Sequence, residues 1–193
     1  TMVVTAGLTG FLLAVHFAAR FSGAVGRSHP AGKWLLPFLA YALVNVLWLT
    51  PVPWLGWHDW LEWAQMIAIF WVVLNGVRAP ATRTALLMGL MALGVVAVAL
   101  QCYQRFVSPE WLMLGRTQAP QFFNRSSGPF GIPNSMAAFL LLLFPAAVAL
   151  AAQRRSGAML RVVWGGCAPI FVLGLVLTVS RGAWMSLALS LVA

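Results

Sequence analysis

Long apolar runs are the feature that most constrains how this chain can fold. Seven of them follow one another along the 193 residues, and most are close to the roughly 20 residues that a helix needs to cross a bilayer. They occupy 2–19, 34–49, 60–77, 85–101, 133–152, 162–179 and 183 onward. The runs are continuous, whereas the strands of a membrane barrel alternate over about ten residues. We therefore predict an all-α, polytopic transmembrane bundle of about seven spans, with a single domain over 1–193.

The composition agrees with a membrane protein and argues against a soluble domain and against a nucleic-acid-binding protein. Hydrophobic residues make up 62% of the chain and charged residues 8%, with a mean hydropathy of +0.89, and a soluble domain needs more polar surface. The net charge of +9 is spread over short connections, so it does not indicate nucleic-acid binding. Cys102, at the end of the fourth span, and Cys167, in the sixth, lie far apart in sequence without metal-ligand spacing, so we expect packing residues, no metal and no cofactor. Both ends fall within apolar runs, which suggests a fragment of a larger bundle.

The basic residues divide unevenly between the two sides of the predicted bundle. Eight of the 12 lie in the connections after the first, third and fifth spans, where there is no acid: Arg20, Arg27, Lys33, Arg78, Arg83, Arg154, Arg155 and Arg161. The positive-inside rule makes this side cytoplasmic. Three connections are then predicted to face outward: the turn 51–59, the long connection 102–132 and the turn 180–182. For the long connection we expect a short amphipathic element lying on the interface.

The outer connection ends in a segment rich in turn-forming residues, 124–135. Pro133 is well placed to begin the fifth span, and Asn134 can hydrogen-bond near the start of that helix. On spacing alone, the segment is better explained as an ordinary capped loop. Arg125, however, falls on the same predicted membrane face as Arg181, which makes an anion site the alternative.

Arg181 separates the run 162–179 from the run that begins at Ala183. A charged side chain near the centre of a spanning helix costs about 2.5–3.5 kcal/mol and is usually retained for a function. A cation at a helix N-terminus opposes the helix dipole, but a guanidinium group beside free backbone amides binds phosphate. Two interpretations follow: an anion site shared with Arg125, or a snorkelling surface charge on a tight turn.

Two segments resemble the signatures of the O-antigen ligase and O-antigen polymerase superfamily: RSSGPFGIPNSMAAFL at 125–140 and LTVSRGAW at 177–184. They follow the family's order, and the resemblance covers about 124–193. The earlier residues match only as apolar spans. The resemblance implies a metal-independent, inverting glycosyltransferase of the bacterial inner membrane. Such an enzyme moves a glycan from a polyprenyl-pyrophosphate carrier, such as undecaprenyl pyrophosphate, to an acceptor hydroxyl on the periplasmic side.

The resemblance also implies roles for particular residues. Arg181 and Arg125 would bind the pyrophosphate, and the supporting motif positions are Gly128, Pro133, Asn134, Ser180 and Gly182. The acceptor would be a lipid A core sugar, another glycan repeat or a protein hydroxyl, in lipopolysaccharide or other polysaccharide biosynthesis. The family's general base is a histidine on a large outer loop downstream of this region. We therefore expect an incomplete catalytic set in this chain.

The three histidines of the chain suit the role of general base poorly. We expect His16 to be packed within the first span, His29 to be solvated in a cytoplasmic link, and His58 to lie in an interfacial turn over 57–60. As an alternative, Asp59 would orient His58 as a base. Three polar residues lie within the predicted spans, and we expect them to join helices by hydrogen bonds: Asn45, Gln65 and Asn75.

Two other functions compete with glycan transfer. A membrane transporter of a small anion or solute would bind its cargo at Arg181, although transporters often show an internal repeat and none is found in this sequence. A structural membrane subunit without a site would leave Arg125 and Arg181 pointing apart toward lipid headgroups.

Overall fold

A computed structural model describes residues 2–21, 29–153 and 157–192. Within these ranges the chain forms seven α-helices and no strands. The helices are α1 (Met2–Phe21), α2 (Leu35–Trp48), α3 (Pro53–Gly76), α4 (Pro80–Phe106), α5 (Pro133–Ala152), α6 (Ala158–Thr178) and α7 (Arg181–Val192). The all-α prediction is confirmed. Three of the arginines assigned to the cytoplasmic side lie outside the described residues: Arg27, Arg154 and Arg155.

Four helical segments are long and apolar enough to cross a membrane. They are Pro30–Trp48, which combines a 3-10 turn with α2, together with α4, α5 and α6. In α1, the stretch Gly7–Phe21 is apolar but shorter. Each of the seven predicted spans thus corresponds to a helix. The four segments that are long and apolar enough to cross a membrane support the assignment of the chain as a membrane protein.

Proline at a helix start accounts for one accurate boundary and one error. Pro133 begins α5 as predicted, because its fixed φ suits the first helical turn and its missing N–H would have no partner there. Pro53 begins α3 in the same way, so the helix starts seven residues before the predicted run at Trp60. The predicted turns 51–59 and 57–60 were therefore wrong from Pro53 onward, since the Trp/His segment is helical.

The chain divides into two compact units, 1–83 and 84–193. In the first unit, α3 packs against both α1 and α2. Gly32 lies so close to Trp71 that an added Cβ would come within 2.7 Å of the indole ring. Trp60 Nε1 donates to Leu39 O at 3.1 Å and so joins α3 to α2.

In the second unit, α4, α5 and α6 form a close-packed apolar core. Its fully buried side chains include Met136, Leu140, Phe171 and Leu175. Gly174 allows the helices to approach closely, because a Cβ at this position would lie 2.5 Å from Leu140 Cδ1. Small residues at helix contacts serve the same purpose in membrane proteins generally.

The connection between α4 and α5 is shorter than predicted and differs in structure. Its first residues continue α4 to Phe106, and the remainder, 107–132, contains three 3-10 turns at Met113–Gly115, Pro120–Phe122 and Gly128–Phe130. A single antiparallel bridge joins Trp111 and Thr117. The expected amphipathic element on the interface is replaced by these short turns, which fold onto the buried end of α4.

Candidate functional site

The two motif segments are in direct contact at one end of the second unit. Ser126 N donates to Leu177 O at 3.0 Å, and Arg125 Nε donates to Thr178 O at 3.1 Å. The segment before α5 is therefore hydrogen-bonded to the last turn of α6. Only Val179 and Ser180 separate Thr178 from Arg181, the first residue of α7.

Arg125 connects the ends of two helices. Its Nη2 donates to Asn134 Oδ1 at 2.9 Å, so the same guanidinium group contacts α5 and α6. Its Cζ lies 6.0 Å from the centroid of the Phe122 ring, within the range of a cation–π contact. A guanidinium group has five N–H donors, and Arg125 uses two of them on described residues. The other three have no hydrogen-bond acceptor among the described residues.

Arg181 is exposed and begins α7. Its guanidinium group makes no hydrogen bond or ion pair with any residue that the structure describes. The first amides of a helix lack intrahelical acceptors, and the positive end of the helix dipole adds to the guanidinium charge. This end of α7 therefore has an excess of positive charge that an anion would neutralise.

The neighbours of Arg181 leave this helix end open. A Cβ added at Gly182 would meet no atom within 4 Å, so glycine is not required there by packing. Ser180 is buried, and its carbonyl accepts the first helical hydrogen bond from Trp184 N at 3.1 Å. A small residue next to Arg181 keeps the amides of the first turn accessible to a ligand.

The turn between α6 and α7 is held in an unusual conformation. Val179 has φ +50°, a left-handed value that is rare for a β-branched residue. Two side chains fix the turn by donating to the same carbonyl, Leu175 O: Thr178 Oγ1 at 2.7 Å and Trp184 Nε1 at 3.1 Å. Strain of this kind persists only where the surroundings determine the conformation. The backbone position of Arg181 is thus tightly defined.

A buried glutamine fixes the backbone next to Arg125. Gln104 Oε1 accepts hydrogen bonds from Ser127 N at 2.8 Å and Gly128 N at 2.9 Å. Its Nε2 donates to Trp111 O at 2.8 Å. One turn earlier, Gln101 Nε2 donates to Ser126 O and to Gly174 O at 3.2 and 3.0 Å. Both glutamines are buried in the last turns of α4.

Gln101 and Gln104 were not among the site residues predicted from the sequence. Their signal was two amide side chains three residues apart on one face of an apolar helix, directly before a loop with many backbone groups to satisfy. Buried polar groups need hydrogen-bond partners, so this pair indicated an anchored loop. It did not indicate which of the loop residues would be bound.

The supporting motif residues have identifiable structural roles. Gly128 has φ +54°, and a Cβ there would lie 3.1 Å from Ala97 O, so both its conformation and its packing require glycine. Pro133 is buried at the start of α5, and Asn134 accepts the hydrogen bond from Arg125. These residues hold Arg125 in place.

The histidines lie in the first unit and have their own local partners. His16 is buried, with its ring 4.7 Å from that of Trp71, and is packed as predicted. His29 is exposed, and its Nδ1 accepts a hydrogen bond from Ala31 N. His58 Nδ1 lies 3.7 Å from Glu62 Oε1, one helical turn later. The acidic neighbour of His58 is therefore Glu62 and not Asp59, because α3 continues through this segment.

Asn75 joins α3 to His29, the residue that caps the 3-10 turn Pro30–Trp34, so the predicted bond runs to a helix cap and not to a neighbouring α-helix. Its Oδ1 accepts from His29 N at 2.6 Å, and its Nδ2 donates to Trp71 O at 2.7 Å. For Asn45 and Gln65, no side-chain hydrogen bond to another helix is found among the described residues.

Cys102 and Cys167 are both free thiols. Among the described residues there is no group of three or more His, Cys, Asp or Glu side chains that could hold a metal ion. No family model, no curated protein and no solved structure matches the chain. The geometry around Arg125 and Arg181 is therefore the basis for assigning a function.

Proposed function

We propose that this chain contains the carrier-binding part of a membrane glycosyltransferase of the O-antigen ligase or polymerase type. It would move a glycan from a polyprenyl-pyrophosphate carrier to an acceptor hydroxyl on the periplasmic side of a bacterial inner membrane. One observation carries the proposal: the segments that contain Arg125 and Arg181 are hydrogen-bonded to each other through Thr178 O, while the guanidinium group of Arg181 has no partner among the residues that the structure describes.

Pyrophosphate is the anion that best suits this arrangement. It presents two phosphate groups, and guanidinium groups bind phosphate oxygens in a bidentate manner. The first turn of α7 would add amide donors beside Arg181. Because the apolar helices border this site, a lipid-linked diphosphate could bind with its hydrocarbon chain remaining in the bilayer.

The same charges would assist glycan transfer. When the acceptor hydroxyl attacks the anomeric carbon, the bond to the carrier breaks and negative charge develops on the departing pyrophosphate. Fixed positive groups directed at this charge stabilise the transition state more than the ground state. The acceptor proton would go to a general base. Arg181 would therefore act on the leaving group.

The direct test is transfer by the full-length protein with Arg181→Ala and Arg181→Lys. Removing one donor to a developing anion typically lowers turnover by about 100- to 1,000-fold, and we expect a loss of this size for Arg181→Ala. Lys is expected to restore transfer only in part, because it retains charge but not bidentate geometry. Transfer from the lipid-linked glycan is followed by gel electrophoresis of the product.

Arg161→Ala is the matched control. Arg161 lies in the first turn of α6, at the opposite end from Thr178, and its Nε donates to Ala151 O. We expect its replacement to leave transfer within about twofold of wild type. Wild-type transfer in Arg181→Ala would remove Arg181 from the mechanism. Uptake of phosphate into proteoliposomes, without any glycan transfer, would favour the transporter.

A further inference from the structure

We propose that a cleft in the connection between α4 and α5 binds the sugar portion of the lipid-linked donor. This loop cleft, formed within 108–117, has a volume of about 510 Å³. The identification of its ligand as a glycan rests on the proposed function. The polar side chains that line it belong to Ser108, Glu110, Arg116 and Thr117, and Trp111 contributes an aromatic wall.

The charges of the loop cleft favour a neutral, hydroxyl-rich ligand. Glu110 and Arg116 are both exposed, yet they form no ion pair with each other or with another described residue. An anion would be repelled by Glu110 and a cation by Arg116. Sugar hydroxyls both donate and accept, so one glycan can use the carboxylate as acceptor and the guanidinium as donor. Hydrogen bonds to charged groups are also the stronger kind.

Trp111 supplies the apolar part of the loop cleft. Its ring is half-buried and packs edge-to-face against Tyr103, with the centroids 5.6 Å apart. A pyranose ring has an apolar face made of C–H groups, which an indole ring can cover. Ligand sites in proteins commonly combine such aromatic walls with a few convergent polar groups. The mixture of side chains in this cleft matches that description.

The backbone of the loop cleft is held in place before any ligand binds. Gln118 N donates to Glu110 O at 2.8 Å, and Trp111 N donates to Ser108 O at 3.0 Å. Leu114 and Gly115 complete the turn with φ of +64° and +70°. A preorganised site loses less conformational entropy on binding, which benefits a ligand with many weak hydrogen bonds.

Gln104 links the loop cleft to the arginine site, which is the proposed anion site at Arg125 and Arg181. Its Nε2 binds Trp111 O in the wall of the cleft, and its Oε1 binds the amides of Ser127 and Gly128 next to Arg125. One buried amide group thus anchors both segments. In the donor the first sugar is bonded directly to the pyrophosphate, so adjacent subsites for glycan and diphosphate correspond to its covalent order.

The test compares two donors in the full-length protein: the carrier with its complete glycan and the carrier with only its first sugar. For Glu110→Gln and Arg116→Gln, the KM of the complete donor is expected to rise about tenfold, as the loss of a charged hydrogen bond predicts. The KM of the one-sugar donor and kcat should change less than about twofold. Arg105→Gln, which removes a charge near the same end of α4 but outside the cleft, should affect neither KM.

A second measurement detects binding without catalysis. Glycan released from its carrier by mild acid is added to detergent-purified protein, and saturation-transfer NMR reports contact. We expect a signal in the wild type and in Arg181→Ala, and none in the Glu110→Gln/Arg116→Gln double variant. An unchanged signal in the double variant, or equal changes of KM for both donors, would overturn the sugar site. Wild-type transfer in Arg181→Ala would instead overturn the proposed function.

Discussion

Arg125 and Arg181 differ in how much of their hydrogen-bonding capacity the protein itself uses. Arg125 donates to Thr178 O and to Asn134 Oδ1 and so connects the end of α6 with the start of α5. Arg181 makes no such bond within the described part of the chain. Arg125 therefore contributes to the fold as well as to the proposed anion site, whereas the proposed contribution of Arg181 is its charge. Measurements of thermal stability should therefore distinguish a substitution at Arg125 from one at Arg181.

Arg125→Ala is expected to lower thermal stability, while Arg181→Ala should leave it unchanged. Loss of the two Arg125 bonds should destabilise the protein by about 1–2 kcal/mol, a modest value because the side chain is only half-buried. The melting temperature of detergent-purified full-length protein, followed by tryptophan emission, provides the measurement. Equal melting temperatures for the two variants would contradict the role of Arg125 in joining α5 and α6.

At the scale of single elements, the end of α4 organises the connection that follows it. Gln101 and Gln104 bind backbone groups at 126–128 and at Gly174, from 23 to 73 residues away in sequence. A local sequence pattern contains no information about which distant carbonyl or amide an internal glutamine will meet. The anchoring of the loop was therefore not predictable, although the loop and its motif residues were.

Gln104→Ala is expected to reduce both stability and transfer. It leaves the buried Ser127 N and Gly128 N and the part-buried Trp111 O without this partner, and unsatisfied buried groups cost about 1–3 kcal/mol each before relaxation and water entry. We expect a loss of about 3 kcal/mol in unfolding by SDS titration. Gln65→Ala is the matched control in α3, with an expected change below about 0.5 kcal/mol. Similar losses for both variants would argue against the anchoring role of Gln104.

The first residues of α5 and α3 show where the sequence was sufficient to predict a helix boundary and where it was not. The bounds of α5 were predicted without error, because an apolar run, a first-turn proline and a preceding turn all indicated the same start. For α3, the cluster of proline, tryptophan and glycine over 51–59 was interpreted as a turn, although Pro53 begins a helix. Proline is compatible with both structures, and only tertiary packing of the tryptophans on α2 decides between them.

At the scale of the whole molecule, apolar runs predicted the fold class, and spacing along the chain predicted that the two motifs share one end of the second unit. Alternation of spans necessarily brings the loop before α5 and the turn after α6 to the same side. The side chains that contact each other there, such as Arg125 with Asn134, depend on packing that periodicity does not describe. Which side of the membrane this end faces is a separate question of charge distribution.

Cysteine labelling tests the predicted sidedness. Gln121→Cys marks the connection before α5, and Ala158→Cys marks the first residue of α6; both are made in full-length protein with Cys102 and Cys167 replaced by Ser. Because basic residues concentrate on the other side, a membrane-impermeant maleimide should label Gln121→Cys in spheroplasts. Ala158→Cys should react only after permeabilisation. The reverse pattern would move the arginine site to the cytoplasmic face and contradict periplasmic transfer.

We propose that Arg181 and Arg125 bind the diphosphate of a polyprenyl carrier, and affinity for a short analogue tests this claim most directly. Farnesyl pyrophosphate and farnesol share a hydrocarbon chain and differ in the diphosphate. Wild-type protein and Arg161→Ala are expected to bind the pyrophosphate at least about tenfold more tightly, and Arg181→Ala should lose this preference. Equal affinity of the wild type for both compounds, or an undiminished preference in Arg181→Ala, would contradict the claim.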